Sequence, residues 1–442
     1  MAEAPELRRA IRLPHATALV VGTIIGASIF VQPSEVTARV PSVAGVLLVW
    51  VAAGTLTLIG ALVTAELAST FSRTGGVYVY LSEAFGPSVG FLWGWAMFWS
   101  MHSGIIAVSA VVFARYAGYL VPLSDAGSKA TAIGVILLLS LVNYLGVKQG
   151  SRLQAAFTAG KLLAVAIIVG LGFALGSRVP AHFVGSATPH PISTADFLTA
   201  LVAGLFAFGG WHMVTYSSEE TENPRRTIPR ALLFGTLTVT AAYLAMNAVY
   251  LYVLPLDRVA SSTRVAADLA DTLLGFGGGG AISGIVMFST FGALAGIILA
   301  GPRVYLAMAR DGLLFPWLGA IHPRFQTPHR AILLQALWSS ILVATGTFRA
   351  LFTRVVYTEW IFFGMMTIGL VLLRRRPGLA RGYSVPGYPL LPAIFALAAF
   401  AVVVNRMLAN PGETLTGLAL VLAGVPVYFF WGRKASPRSV TS

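Results

Sequence analysis

The sequence predicts an all-α membrane protein with twelve transmembrane helices, of which helices 1 and 6 are discontinuous. Three observations predict this fold class. Hydrophobic residues make up 57% of the 442 residues and charged residues 10%, whereas ordinary soluble domains carry about 25% charged residues. Apolar runs of roughly 20 residues recur along the chain. Two of these runs carry glycine clusters near their centres, where a continuous helix is disfavoured.

Twelve apolar stretches define the helices, and both chain termini therefore lie on the same side of the membrane. Of the 30 Lys and Arg residues, 20 fall on the side of the N-terminus, 9 on the other side, and Lys161 lies inside a span. This asymmetry predicts cytoplasmic N- and C-termini in a multi-pass protein of the cell inner membrane. The stretches lie near residues 16–38, 43–71, 88–120, 130–147, 151–176, 195–219, 229–254, 279–308, 330–347, 352–373, 389–407 and 414–431.

The composition also argues against several classes of function. The net charge of +14 belongs to the loops, so we expect no nucleic-acid partner. The chain has no Cys, which excludes disulfides and thiolate metal sites. The seven His residues are scattered, and the sequence contains no P-loop, no dinucleotide fingerprint, no serine-nucleophile elbow and no H-E-x-x-H motif. We therefore predict no cofactor, no bound metal and no enzymatic activity.

Two spans are interrupted by small residues at matching places in the two halves of the chain, at Gly22–Phe30 and Gly204–Trp211. Backbone exposed within the hydrocarbon is tolerated only where it lines a cavity or is buried in protein. A pair of glycine-interrupted spans indicates the midplane binding site of a transporter. The alternative is a close-packed helix face, because Gly22 and Gly26 have the G-x-x-x-G spacing.

Broken helices expose backbone groups of both polarities. If the first span unwinds near residues 25–28 and the sixth near residues 208–210, each break frees N–H groups on one side and C=O groups on the other. The N–H ends suit a carboxylate and the C=O ends suit an ammonium. A zwitterionic α-amino acid carries both groups on one carbon. The side chains of Phe206, Phe208 and Trp211 would then contact the variable part of the substrate.

Lys161 lies about 11 residues into the fifth span, about 16 Å deep at 1.5 Å per residue. A buried ammonium requires carbonyls, hydroxyls or a carboxylate, or else it loses its proton. Lys161 is either a fixed cation that holds helices together without titrating, or a charge that occupies the place of a sodium ion, with or without titration during transport. Ser289 and Thr290 of the eighth span offer hydroxyls that could face it.

For the other polar residues in the spans, ordinary structural contacts are the first explanation. Glu66 and the pair Glu219 and Glu220 lie near span ends, which favours interactions with loops. His102, His212 and Glu359 lie within spans. Each is explained by an interhelical hydrogen bond, or alternatively by a role in the pore or in proton coupling.

Several motifs together resemble those of the amino acid–polyamine–organocation (APC) superfamily, and especially its L-amino acid transporter (LAT) branch. The resemblance extends from about residue 12 to residue 376. It rests on the first-span motif at residues 22–30, on Ala65-Glu66-Leu67, on Arg73-Thr74-Gly75-Gly76-Val77-Tyr78, on residues 219–230, on Gly301-Pro302-Arg303, and on residues 307–312.

The resemblance implies the inverted-repeat fold of the bacterial leucine transporter and alternating access of an amino acid at the midplane. It implies a cytoplasmic N-terminus at 1–15, a first five-helix repeat at 16–176, a second inverted repeat at 195–373, two accessory helices at 389–431 and a cytoplasmic tail at 432–442. Some relatives are linked to a single-span partner through a cysteine; this chain has no Cys for such a link.

Roles for individual residues also follow from the resemblance. The N–H groups of Gly26, Ala27, Ser28 and Ile29 would bind the carboxylate, and the carbonyls of Ile24, Phe206 and Gly209 would bind the ammonium. Phe206 would act as an outer gate. Lys161 would contact the Gly22 region and Ser289, as in sodium-independent members. The remaining predicted substrate-binding residues are Ile25, Ala207, Phe208 and Gly210.

Three positions depart from the family pattern. Ser28 stands where glycine is usual, His212 stands where Asn or Asp is common, and Ala295 stands where many relatives have Asn. We treat Trp211, His212 and Ala295 as candidate selectivity residues.

The predicted function is sodium-independent transport of α-amino acids, by an exchanger of neutral amino acids. A proton-coupled symporter and a carrier of polyamines or other organic cations are the alternatives. The second alternative would need acidic residues facing the cavity, and carboxylates are sparse in the spans.

Overall fold

The structure is a computed structural model that describes residues 7–26, 28–176, 192–275, 278–346 and 348–432. Within these ranges the secondary structure is helical, apart from one isolated bridge that pairs Ile11 with Thr221. The prediction of an all-α protein is confirmed at this level.

The first half of the chain forms eight α-helices, several of which join into longer rods. A π-helical turn at Met97–Met101 links the fifth and sixth helices. The helices are α1 (Leu13–Ile24), α2 (Gln32–Arg39), α3 (Val43–Thr70), α4 (Val77–Phe85), α5 (Pro87–Ala96), α6 (His102–Leu120), α7 (Asp125–Tyr144) and α8 (Val147–Leu175).

The second half begins with a helix that is followed by the 3-10 helix Trp211–Glu220. Its helices are α9 (Thr194–Ala207), α10 (Pro224–Val253), α11 (Leu256–Ser261), α12 (Val265–Leu274), α13 (Gly278–Ala300), α14 (Pro302–Arg310), α15 (His329–Thr345), α16 (Phe348–Arg374), α17 (Leu390–Ala409), α18 (Pro411–Leu422) and α19 (Gly424–Gly432).

Nine helical segments of the described chain are long and apolar enough to cross a membrane, and two shorter apolar helices, Leu13–Ile24 and Thr414–Phe430, accompany them. Large apolar side chains such as Leu163, Leu337, Leu397 and Phe430 are exposed on the outside of the bundle. Such a surface suits hydrocarbon rather than water. The chain is a multi-pass membrane protein.

The centre of the bundle is occupied by α1, which packs against α8, α10, α13 and the 3-10 helix Trp211–Glu220. Small residues allow these close approaches. Gly22 faces the side chains of Gln154 and Thr158 of α8, and Gly235 of α10 faces Val20. This packing places the broken end of α1 beside the end of α9.

One end of the bundle is held closed by ion pairs between segments far apart in sequence. Arg73 binds both carboxylate oxygens of Asp311, at 2.7 and 2.9 Å. Other pairs join Arg310 to Glu219 at 2.9 Å, Arg303 to Glu220 at 2.7 Å, and Arg374 to Glu66 through its Nε at 2.7 Å. Glu66, Glu219 and Glu220 therefore make structural contacts near the helix ends, as their positions predict.

Candidate functional site

The first span is interrupted after Ile24. The helix α1 ends there, Ile25 takes an extended conformation (φ −71°, ψ 90°), and the chain resumes as a 3-10 turn at Ser28–Phe30. Gly26 lies in the gap, and Ala27, a predicted carboxylate ligand, lies outside the described residues. A Cβ added at Gly26 would approach only the Cβ of Ala293, at 3.3 Å, apart from a backbone carbonyl at 4.0 Å. The backbone at this break therefore lies close to α13, with little room for a side chain at Gly26.

The break separates backbone donors from acceptors. Among the described residues, the N–H groups of Gly26, Ser28 and Ile29 have no hydrogen-bond acceptor. The freed carbonyls, in contrast, already accept hydrogen bonds from side chains of other helices. Unpaired N–H groups at the start of a helical turn favour an anion such as a carboxylate.

Lys161 supplies two of the side-chain bonds to this break. Its side chain is 1% exposed. The ammonium donates to the carbonyl oxygens of Gly22 at 2.8 Å and Ile25 at 2.7 Å. No carboxylate pairs with Lys161 within the described part of the chain. The Nζ atom thus lies against the carbonyl end of α1, whose partial negative charge attracts a cation.

Ser289 contacts the break by a different route from the one predicted. Its hydroxyl donates to the carbonyl oxygen of Gly26 at 3.4 Å. The structure shows no hydrogen bond between Ser289 and Lys161; both side chains instead bind neighbouring carbonyls of the same break. The lysine reaches the helical side of the gap, and the serine reaches the gap itself.

The sixth span is interrupted after Ala207. The residues Phe208, Gly209 and Gly210 form a turn, and the chain continues as the 3-10 helix Trp211–Glu220. Gly210 has φ +99° and lies against the backbone of Thr23, so a side chain there would be strained and crowded. At Gly209 an added Cβ would have one close neighbour, the carbonyl oxygen of Phe206 at 3.1 Å.

The two breaks are joined by Tyr243 of α10, a residue that the sequence analysis did not single out. Its hydroxyl lies 2.9 Å from the carbonyl oxygen of Ile24 and 3.0 Å from that of Ala207. These are the last helical residues before each break. One hydroxyl proton therefore serves both helix ends. Thr23 adds a second link, because its hydroxyl lies 3.2 Å from the carbonyl oxygen of Gly210.

A small cavity of about 10 Å³ lies beside the second break, with space for about one water molecule. Phe206, Gly209 and Trp211, three of the predicted site residues, are among the residues that line it. Ile105, Leu205, Glu359, Trp360 and Phe363 complete the lining. Glu359 therefore lines this cavity. The cavity is too small to hold an amino acid.

Phe208 does not line this cavity. Its ring packs on the other side of the break, 5.0 Å from the ring of Tyr243 and 6.4 Å from that of Trp50. The sequence predicted a substrate contact for Phe208 from its position alone. The turn at Phe208–Gly210 directs the side chain into the core instead, where an aromatic residue is stabilised by burial.

The remaining candidate selectivity residues lie further from the cavity. His212 is buried among aromatic rings, 4.8 Å from Phe363 and 5.4 Å from Trp211, and its Nδ1 has no partner within the described residues. Ala295 is buried in α13. His102 forms a hydrogen bond of 2.9 Å between its Nε2 and the carbonyl oxygen of Ile297, which explains a buried polar ring at this position.

Comparison with known proteins gives one family and many relatives. The family model described as amino acid permease matches residues 11–430. The chain is 34% identical to the serine/threonine exchanger SteT of Bacillus subtilis, over 97% of this chain and 98% of that protein. It is 32% identical to the human b(0,+)-type amino acid transporter 1, over 97% and 91% of the two chains. It is 30% identical to the human cystine/glutamate transporter, over 98% and 87%.

Proposed function

We propose that this chain, which belongs to the amino acid permease family, is a sodium-independent exchanger of neutral α-amino acids. The observation that carries the proposal is the pair of adjacent helix breaks, with the N–H groups of Gly26, Ser28 and Ile29 unpaired at the first. Relatives named as an exchanger and as amino acid transporters, matched over nearly their full length, support the same activity. No catalytic role is part of this proposal.

In the proposed complex, backbone groups hold the part that all α-amino acids share. The substrate carboxylate accepts hydrogen bonds from the backbone N–H groups of Gly26, Ala27, Ser28 and Ile29. Ile25 lies next to these groups in the chain. The ammonium donates to carbonyl oxygens around the two breaks, namely those of Ile24, Phe206 and Gly209. Ile24 already accepts a bond from Tyr243, but a carbonyl oxygen has a second lone pair. Ala207, Phe208 and Gly210 shape the second break.

The variable part of the substrate would extend toward the aromatic cavity. Phe206 would close over the bound amino acid, and Trp211 would contact its side chain. His212 and Ala295 would act at longer range, because neither lines the cavity in this conformation. Ser28 would add a hydroxyl at the carboxylate end.

Lys161 provides the argument for sodium independence. A sodium ion bound at this place would need the carbonyl oxygens that the ammonium now occupies, at 2.7 and 2.8 Å. The two positive charges would also repel each other at short range. In the proposal, Lys161 with Gly22 and Ser289 stabilises the broken helix in place of a coupling ion.

The proposed topology is that of the leucine-transporter fold with twelve membrane helices. It comprises two inverted repeats at 16–176 and 195–373, accessory helices at 389–431, and cytoplasmic termini at 1–15 and 432–442 in the inner membrane. The ion-paired end of the bundle, with Arg73, Arg310 and Arg374, is then cytoplasmic, in accordance with the positive-inside rule.

Uptake into proteoliposomes tests the proposed function. We expect uptake of labelled serine or threonine only into vesicles preloaded with an amino acid, and no dependence on sodium or on a proton gradient. Uptake into empty vesicles driven by a proton gradient would instead identify a symporter. Absence of amino acid uptake under both conditions would contradict the proposal.

A further inference from the structure

Glu359 is a buried carboxylate without a partner. Glu359 is 9% exposed and lines the cavity beside Gly209. Within the described residues, no hydrogen bond and no ion pair reaches its carboxyl group. The other buried carboxylates, Glu66 and Glu220, are each bound bidentately by an arginine. Glu359 therefore differs from every other buried acid that the structure describes.

An unpaired carboxylate in apolar surroundings is costly. Transferring a charged group from water into a protein interior costs several kcal/mol unless a counter-charge or hydrogen-bond donors compensate. Acidic residues inside a membrane protein therefore indicate a functional site with a specific partner. For Glu359 that partner is either a bound proton or a positively charged group of the substrate.

Neighbouring helices do not provide the partner within the described residues. Tyr216 on the 3-10 helix is close enough to Glu359 to interact with it electrostatically, and His212 on the same helix packs against Phe363, which lines the same cavity. His102 on α6 lies near His212, and its ring is bonded to a backbone carbonyl. None of these side chains forms a hydrogen bond or ion pair with Glu359 among the described residues. A donor for Glu359 would therefore have to enter through the cavity.

The surroundings of the cavity favour an organic cation over a proton alone. Phe206, Trp211, Trp360 and Phe363 line the same space as Glu359. Aromatic faces attract ammonium groups, and a carboxylate adds a counter-charge. Burial in apolar surroundings by itself favours a neutral, protonated carboxyl group, so the aromatic faces are the feature that distinguishes a cation subsite from a proton site. The cavity has space for about one water-sized group, which is the size of an ammonium head.

We propose that Glu359, with the aromatic rings around it, forms a subsite for the positively charged side chain of a cationic amino acid. This inference rests on the proposed function, because the backbone groups at the two breaks would hold the α-carboxylate and α-ammonium. The exchanger then carries cationic amino acids in addition to neutral ones. The Glu359 carboxylate is the selectivity element.

Ligand binding to the purified protein tests the subsite. Lysine and norleucine have the same chain length and differ by the terminal ammonium, so they form a matched pair of ligands. We expect both to raise the thermal transition temperature of the wild type. In Glu359→Gln, lysine affinity should fall by at least about 30-fold, whereas affinities for norleucine and serine should change less than about threefold. Glu35→Gln, which removes an exposed carboxylate, is the control and should bind all three ligands normally.

The outcomes are distinct. A wild type that binds norleucine or serine but not lysine overturns the subsite and leaves the proposed function intact. Retention of lysine binding in Glu359→Gln also overturns it. If that variant instead abolishes a proton dependence of neutral amino acid uptake, the carboxylate holds a proton and the proposal is wrong. If no α-amino acid binds the wild type, the proposed function itself fails. Should Glu359→Gln not fold, the wild-type comparison of lysine with norleucine still decides.

Discussion

The side chain of Lys161 supplies hydrogen bonds to a helix break that is buried within the bundle. Ending α1 at Ile24 leaves carbonyl oxygens without the N–H groups that a continuous helix would supply. Lys161 donates to two of them, at Gly22 and Ile25. An unsatisfied buried carbonyl costs about 1–3 kcal/mol. The lysine therefore stabilises the conformation that exposes the N–H groups of Gly26, Ser28 and Ile29.

Replacing this lysine provides the first prediction. Lys161→Met keeps the length of the side chain and removes its donors, so the first break should rewind or become heterogeneous. We expect amino acid exchange in proteoliposomes to fall at least about tenfold, while the protein remains folded enough to purify. Lys129→Met is the control, because Lys129 binds a carbonyl at the periphery of the bundle. Exchange at the wild-type rate in Lys161→Met would remove the lysine from the mechanism.

A second prediction at the residue scale concerns Tyr243. Tyr243→Phe removes the hydroxyl that lies between the carbonyls of Ile24 and Ala207. One hydrogen bond contributes about 0.5–1.5 kcal/mol, and we expect substrate affinity to fall by up to about tenfold. Tyr250→Phe, on the same helix, removes a buried hydroxyl that has no partner among the described residues and should leave affinity unchanged. Calorimetric titration measures both variants; equal affinities would show that Tyr243 only fills space.

Sequence reasoning found some of these residues and missed others for a physical reason. Lys161 is conspicuous because a charge about 16 Å inside an apolar span is costly wherever it points. Tyr243 is inconspicuous because tyrosine is common in apolar helices, and its role depends on two helix ends brought together by tertiary packing. The packing of Phe208 against Trp50 and Tyr243 was not predicted for a related reason: the direction of a side chain in a turn depends on backbone angles that composition does not reveal.

At the scale of elements, the glycine clusters predicted where the two helices are interrupted. They did not predict which kinds of helical turn occur elsewhere in these spans. Glycine disfavours helix, which is why the breaks of the described chain include residues 25–26 and 208–210. The ten-residue 3-10 helix Trp211–Glu220 and the π turn Met97–Met101 have no comparable local signal. Both depend on packing, since poorer backbone geometry is tolerated when neighbouring helices compensate.

The third prediction tests the second break as a binding surface. Gly209→Leu adds a side chain whose Cβ would lie 3.1 Å from the carbonyl oxygen of Phe206, so the turn must shift by a few tenths of an ångström; the thermal transition without ligand checks that the variant is folded. The added volume would occupy the space where substrate meets backbone, and we expect thermal stabilisation by amino acids to be lost. Gly170→Leu is the control, since Gly170 is exposed on α8 and has no atom within 4 Å of an added Cβ. Unchanged stabilisation in Gly209→Leu would place the site elsewhere.

At the scale of the whole molecule, the two ends of the bundle differ. One end is closed by the pairs Arg73–Asp311 and Arg310–Glu219 and by hydrogen bonds between Thr74 and Glu219. The opposite end contains a cavity of about 530 Å³, lined in part by Val31, Tyr119 and Arg264. These pairings join residues more than 90 positions apart and could not be predicted from local patterns. Alternating access would require the ion-paired end to open.

The last prediction uses the absence of cysteine from the chain, which makes any introduced cysteine the only labelling site. Gly118→Cys lies in the open cavity, whereas Ser217→Cys replaces a fully buried serine behind the ion pairs. In detergent, we expect a polar maleimide to label Gly118→Cys at least about tenfold faster than Ser217→Cys.

Weakening the closed end should then expose the buried cysteine. Glu219→Gln removes the ion pair with Arg310 and weakens the bonds to Thr74. A loss of about 1 kcal/mol should raise the labelling rate of Ser217→Cys by about fivefold. Asp268→Asn, which removes a partly exposed ion pair at the opposite end, should leave that rate unchanged. If Glu219→Gln does not accelerate labelling, or if Asp268→Asn does so equally, the ion-paired end does not control access to the central site.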